Sequence, residues 1–226
     1  MIAIQILAML TMLIDHIGLL WFPENIVWRI IGRLALPFYA LAIVLGYYRT
    51  SDLNRYLKRV AWIAILSQLP YQFAFYRLEV NTVGSLFVCL LLLRLLDKWN
   101  GKPFLQVLIC LSLAGLLEFL PFSYGAYVAL LVLIYRYAQN QSIILFHFSL
   151  EVVSIIIKEW FIQPFSIFAT ILMVYVPDFM RRLDAIKVPR FVWRSFYPLH
   201  LTLIAIIYYA TSNQSFKEML RTLSFN

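Results

Sequence analysis

Asp15 and His16 stand side by side in MLTMLIDHIGLLWF, and Arg29 and Arg33 follow in VWRIIGRLALPF. Both stretches are otherwise apolar enough to lie in a bilayer. An ionisable side chain at that depth costs several kcal/mol and is kept where it pairs, faces a wet cavity or performs chemistry. Neighbours on a helix point about 100° apart, so Asp15 and His16 cannot form an ordinary carboxylate–imidazole pair. Arg29 and Arg33 are four apart and share a face. Asp15 to Arg33 is therefore the natural charge pair, leaving His16 to exchange a proton. Pro37 has no N–H for the carbonyl of Arg33, which loosens the backbone there. A second stretch, RSFYPLHL, sets Tyr197 and His200 three apart on one face, and Pro198 frees the carbonyl of Arg194. An imidazole beside a phenol in the membrane can act as general acid or base. The plainer alternatives are a polar cluster that only locks two helices together and a core histidine bonded to a loosened carbonyl.

These residues need elements to position them, and composition says what kind. Hydrophobic residues make up 63% of the 226 and charged residues only 13%, which is a membrane composition rather than that of a soluble domain. The expectation is an all-α integral membrane protein, a multi-pass bundle of about nine transmembrane helices with a cytoplasmic N-terminus. The helices are expected at about Ile2–Trp21, Ile26–Tyr48, Tyr56–Phe75, Thr82–Leu96, Phe104–Leu120, Ser123–Ala138, Ile143–Phe161, Pro164–Met180 and Phe191–Ala210. Residues 1–210 form one membrane domain and 211–226 a polar tail. The first helix reads as retained, since it has neither a basic leader nor a cleavage site.

Arg49, Arg55, Lys58, Arg59, Lys98, Lys102, Arg136, Arg181, Arg182, Lys187 and Arg190 all fall on one side of such a bundle, and the positive-inside rule makes that side cytoplasmic. Asp15, His16, Arg29 and Arg33 then lie in the outer half of the membrane. The net charge of +8 is distributed as an orientation signal and not as a nucleic-acid footprint. Cys89 and Cys110 sit in apolar runs with no metal or redox spacing.

Other polar positions read first as helix-to-helix hydrogen bonding: Ser67, Gln68 and Tyr71, the Asn81–Thr82 start of a helix, and Glu118 with Tyr124–Gly125. His147 and Glu151 are four apart, but no third ligand accompanies them and no metal is expected. The hydrolase, zinc-protease and phosphate-loop motifs are not found in the sequence.

MLIDHIG (12–18), RIIGRLALPF (29–38), GYYRTSDLNRYLKR (46–59), SQLPY (67–71), Asn81, YG (124–125) and YPLHL (197–201) occur in the order in which the TraX family carries them. The chain resembles that family over most of its length, most strongly in its first third. The family is named for the conjugative-transfer protein that acetylates the N-terminus of pilin. The resemblance implies a membrane acyltransferase that takes acetyl from acetyl-CoA and passes it to an amine or hydroxyl of a peptide, lipid or glycan.

On that reading acyl transfer needs a base and a group to hold the oxyanion. His16 or His200 fits the first role, with Asp15 beside them, and Arg33 or Tyr197 the second. The phosphates of acetyl-CoA would meet Arg49, Arg55, Lys58 and Arg59 on the inner side, helped by Lys98, Lys102 and the Arg181–Arg190 loop. A secondary transporter or lipid flippase using the same intramembrane charges is the competing expectation.

Overall fold

Asn25, Asp52 and Asn81 each accept a hydrogen bond from a backbone N–H in the first turn that follows them. This side-chain capping fixes where a helix begins. The structure is a computed structural model and describes residues 2–139, 141–184 and 188–212. Its helices are α1 (Ile2–Trp21), α2 (Ile26–Arg33), α3 (Ala35–Arg49), α4 (Leu53–Phe75), α5 (Thr82–Lys98), α6 (Pro103–Phe119), α7 (Ala126–Tyr137), α8 (Ser142–Lys158), a 3-10 turn Gln163–Ser166, α9 (Ile167–Tyr175), α10 (Pro177–Asp184) and α11 (Arg190–Ser212). No strand occurs among the described residues. The one extended pairing there is an isolated bridge between Val80 and Phe122.

Two of the expected helices are divided. The rod expected over 26–48 breaks at Leu34, whose N–H turns back to Ile31, because Pro37 gives the carbonyl of Arg33 no donor. The rod expected over 164–180 is a 3-10 turn, then α9, then α10, which Pro177 opens. Ala3–Trp21, Ile26–Arg49 and Phe191–Thr211 are long and apolar enough to cross a membrane among the described residues. Pro103–Phe119, Ala126–Tyr137 and Gln163–Tyr175 are apolar but shorter. The expected polar tail, apart from Thr211 and Ser212, lies outside the described residues, as do residues 185–187 of the basic loop.

The packing is that of a helical bundle. α1 lies against α2 and α3 and also meets α10 and α11, α11 runs along α4, and α3 packs on α5, α7 and α9. The largest core joins Ala40 and Val44 of α3, Cys89, Leu90 and Leu93 of α5, and Val128, Leu131 and Val132 of α7. Small buried residues such as Ala3, Ala8 and Ala169 allow close backbone approach, which is what associates helices in lipid. A further core of Met12, Ala35, Tyr71, Tyr197 and Leu201 ties α1, α3, α4 and α11 together beside the polar site.

Apolar side chains also cover the outside. Trp62, Ile65, Leu66, Leu69 and Phe73 form an exposed stripe on α4, and Leu199, Leu203 and Ile206 one on α11. The i, i+3, i+4, i+7 spacing gives each helix a single greasy outward face, a surface suited to lipid.

Candidate functional site

α1 and α2 approach so closely because glycines face the partner helix. A Cβ on Gly32 would overlap the side chain of Asp15, and one on Gly18 would overlap Trp28. That approach brings Arg29 Nη1 to 2.7 Å from Asp15 Oδ1, while Arg33 Nη2 is 3.5 Å from the same oxygen. Asp15 thus pairs with Arg33 as the sequence suggested, and Arg29 adds the shorter bond. Arg33 lies a turn further along α2, next to the break at Leu34, and its Nη1 reaches toward Gln163 Oε1 at 3.4 Å.

His16 meets His200. Their Nδ1 and Nε2 atoms are 3.0 Å apart and the two rings lie nearly parallel. His200 Nδ1 is 2.7 Å from the carbonyl oxygen of Phe196, which can only accept, so Nδ1 carries the hydrogen. In neutral His200 the Nε2 is then the acceptor, and His16 Nδ1–H donates to it. This leaves a lone pair on His16 Nε2, in a ring that lines a cavity. The chain Phe196–His200–His16 thus fixes a tautomer from one end. Tyr197 is buried beside His200, with ring centroids 5.5 Å apart.

The cavity is about 540 Å³ and is walled by His16, Arg29, Arg33, Tyr71, Gln163 and Trp160, with Arg77, Glu79, Ser123, Tyr124 and Glu159 among its other lining residues. Tyr71 donates to Glu79 at 2.5 Å and lies 3.2 Å from Ser123. Tyr124 and Glu159 hold left-handed backbone conformations with φ of 68° and 54°, a strain that persists only where the surroundings over-determine it.

At the other end of α1 a second cavity of about 460 Å³ is lined by Gln5, Met9, Tyr39, Arg49, Tyr56, Arg59, Trp193, Arg194 and Tyr197, among others. Of the four basic residues expected to form one inner surface, Arg49 and Arg59 line this cavity. Arg55 is 82% exposed and paired with Asp52, and Lys58 is exposed. Arg194, singled out in the sequence only for its carbonyl, joins Arg49 and Arg59. Tyr197 belongs to this wall and shares a buried cluster with Tyr71, which lines the first cavity.

The sequence did not show what lies behind Gln163. His147 and Glu151, far from being a lone pair, anchor a dry polar network. Glu151 Oε1 accepts from Tyr127 and Ser166, each at 2.5 Å, and lies 2.9 Å from His147 Nε2. His147 Nδ1 and Tyr135 both contact Thr170 Oγ1 at 2.6 Å. Tyr127 in turn accepts from Gln163 Nε2 at 3.1 Å, which turns the Gln163 oxygen toward Arg33. Only the i, i+4 spacing of His147 and Glu151 is visible in the sequence. No group of three His, Cys, Asp or Glu side chains able to hold a metal occurs among the described residues.

The expected helix-to-helix bonds are present. Asn81 Nδ2 donates to Gln68 Oε1 and to the Ala64 carbonyl, both at 2.8 Å. Glu118 accepts from Lys158 and from the Ala126 N–H, also at 2.8 Å. A family model described as TraX protein matches residues 2–208 of the chain. No curated protein and no solved structure matches it.

Proposed function

The chain belongs to the TraX family, and from that premise and the geometry of the site we propose that it is a multi-pass cell-membrane acyltransferase moving an acetyl group from acetyl-CoA to an amine or hydroxyl. The observation that carries this reading is His16 on the wall of one cavity, backed by His200, with Tyr197 on the side of a second, basic one. The basic cavity is the donor's. Its Arg49, Arg59 and Arg194 are suited to phosphates, and Trp193 and Tyr56 offer faces for an adenine ring. Its place at the start of α1 is cytoplasmic on the positive-inside reading. The cavity lined by His16 is then the acceptor's and opens toward the outer side.

In the reaction, His16 Nε2 takes the proton from the attacking amine or hydroxyl as the new bond to the acetyl carbon forms. His200 Nε2 holds the Nδ1–H of the resulting imidazolium, so that the charge is shared over two rings. Tyr197, buried beside His200, donates to the carbonyl oxygen as it becomes negative. When the carbon–sulfur bond breaks, the proton on His16 returns to the thiolate. The acetylated acceptor and free CoA are the products, and His16 is again neutral.

Purified protein incubated with radiolabelled acetyl-CoA and a membrane extract tests this. Covalent label in a peptide, lipid or glycan fraction supports it, and loss of that label in His16→Ala ties it to the site. A transporter or flippase is the second reading, favoured by the break at Leu34 beside the charged cluster, since interrupted helices mark substrate sites in transporters. Movement of substrate across proteoliposomes without covalent labelling would support that reading instead.

A further inference from the structure

Asp15 offers one carboxylate to two guanidiniums, and the sharing is unequal. Its Oδ1 is 2.7 Å from Arg29 and 3.5 Å from Arg33. The other contact of Arg33, to Gln163, is 3.4 Å, and its Nε is buried with no partner. The side chain is only 16% exposed. A cation so deep, with no hydrogen bond shorter than 3.4 Å among the described residues, is under-satisfied, which is costly in a low-dielectric interior.

Arg33 is not simply loose. Gln163, which faces its Nη1, is held through Tyr127 to the buried Glu151, so the guanidinium sits against a fixed wall. The nearby charges do not complete it either. Arg77 and Glu79 at the mouth pair with each other at 3.4 Å, and Asp15 is already engaged by Arg29. Among the described residues Arg33 has only long contacts, Nη2 to Asp15 at 3.5 Å and Nη1 to Gln163 at 3.4 Å, and its side chain lines the cavity, so a planar guanidinium able to pair with two oxygens of one carboxylate or phosphate is left without a close partner there.

We infer that this cavity is a binding site for a molecule that carries a fixed oxyanion, a carboxylate or a phosphate, held by the guanidinium of Arg33 with its amine or hydroxyl toward His16. The cavity of about 540 Å³ is of the size that holds a small ligand or the end of a larger one. An anionic amine or alcohol is thus the acceptor's chemical class. The amine or hydroxyl half rests on the acyltransferase reading, and the anion half stands without a donor.

The full chain, purified in detergent without acetyl-CoA, is titrated at constant ionic strength with ethanolamine, phosphoethanolamine and β-alanine. Trp160, on the cavity wall, reports binding by fluorescence. At least one of the two anionic probes is expected to bind about tenfold or more tighter than ethanolamine, since only they can use the fork. Whichever of the two binds tighter identifies the oxyanion.

Arg33→Lys should weaken that binding about tenfold, because a lysine keeps the charge and loses the paired donors. Arg77→Gln at the half-exposed mouth should change it by no more than about threefold. Ethanolamine binding as well as both anionic probes overturns the inference in the unmodified protein, whatever the variants do. So does an effect of Arg77→Gln equal to that of Arg33→Lys, which would mean a diffuse field and not a seat. A chain that binds anionic probes but transfers no acetyl keeps this inference and removes the acyltransferase reading. Acetyl transfer with no preference for anionic acceptors does the reverse.

Discussion

Replacing Glu151 with leucine tests whether the network behind the site is as dry as its geometry implies. The carboxylate is 1% exposed, and its Oε1 is the common acceptor for Tyr127 and Ser166, with His147 Nε2 2.9 Å away. Leucine fills most of the volume and accepts nothing. Each buried donor that loses its partner costs about 1–3 kcal/mol. The two costs do not add fully, because Tyr127 and Ser166 lie 3.3 Å apart and can turn to each other, while the imidazole of His147 loses the carboxylate beside it. A net loss of about 3–5 kcal/mol is expected, the range for breaking a buried charged network, and a large share of a typical stability of about 5–15 kcal/mol. Glu151→Gln keeps one acceptor oxygen and nearly the same shape, so it should cost about 1–2 kcal/mol. Denaturant unfolding of the detergent-solubilised full chain, followed by tryptophan fluorescence, measures both. A leucine variant within about 1 kcal/mol of the parent would refute the reasoning, since water must then reach these donors. A glutamine variant less stable than the leucine one would refute it as well, because charge and not hydrogen bonding would then hold the network together.

Four further outcomes follow from the site. His16→Ala should abolish acetyl transfer while leaving folding near that of the parent, and full activity would remove His16 from the mechanism. His200→Ala should slow transfer by about 10- to 100-fold, the worth of a hydrogen bond to a charged ring, and His200→Gln, which retains an acceptor, should recover part of it; equal rates in the two variants would count against the fixed tautomer. Gly32→Ala should cost about 1–3 kcal/mol of stability through overpacking and also lower activity by pushing Asp15 off Arg29, so an unfolding curve unchanged from the parent would contradict the close α1–α2 contact. Arg59→Glu combined with Arg194→Glu should raise the KM for acetyl-CoA about tenfold, whereas Arg55→Glu, on an exposed side chain, should move it less than about twofold; the opposite ranking would place the donor on the outer surface of α4 and not in the cavity.

Much is legible in the residues themselves. Apolar runs of bilayer length predict helices, and Asn25 and Asn81 stand just before the expected starts at Ile26 and Thr82, because capping is decided within a few residues; the helix expected from Tyr56 begins instead at Leu53, where Asp52 caps it. The importance of the Asp15–Arg33 hairpin and of the Tyr197–His200 face is also visible, since an ionisable group in an apolar helix is conspicuous in one dimension. Pro37 announces a weak point, and the break comes at Leu34.

Tertiary structure decided which of these residues meet. His16 and His200 lie at opposite ends of the chain, and no spacing rule relates them. Only the packing of α1 and α11 against α4 and the glycine-lined seam with α2 makes them a pair. Asp15 lies closer to Arg29 than to Arg33 because helix phase and the kink at Leu34 set the reach of each arginine more tightly than charge alone does. The basic surface divided in the same way. Arg49 and Arg59 of the expected set joined Arg194 from α11 in one cavity, while Arg55 and Lys58 point outward, because successive helical positions face different directions. Of the Glu151 network the sequence showed only the i, i+4 spacing of His147 and Glu151. Its members come from α7, α8, the 3-10 turn and α9, and a hydrogen-bonded cluster assembled from separate elements has no local signature, since each polar residue is placed by the partners it finds only after the helices have packed.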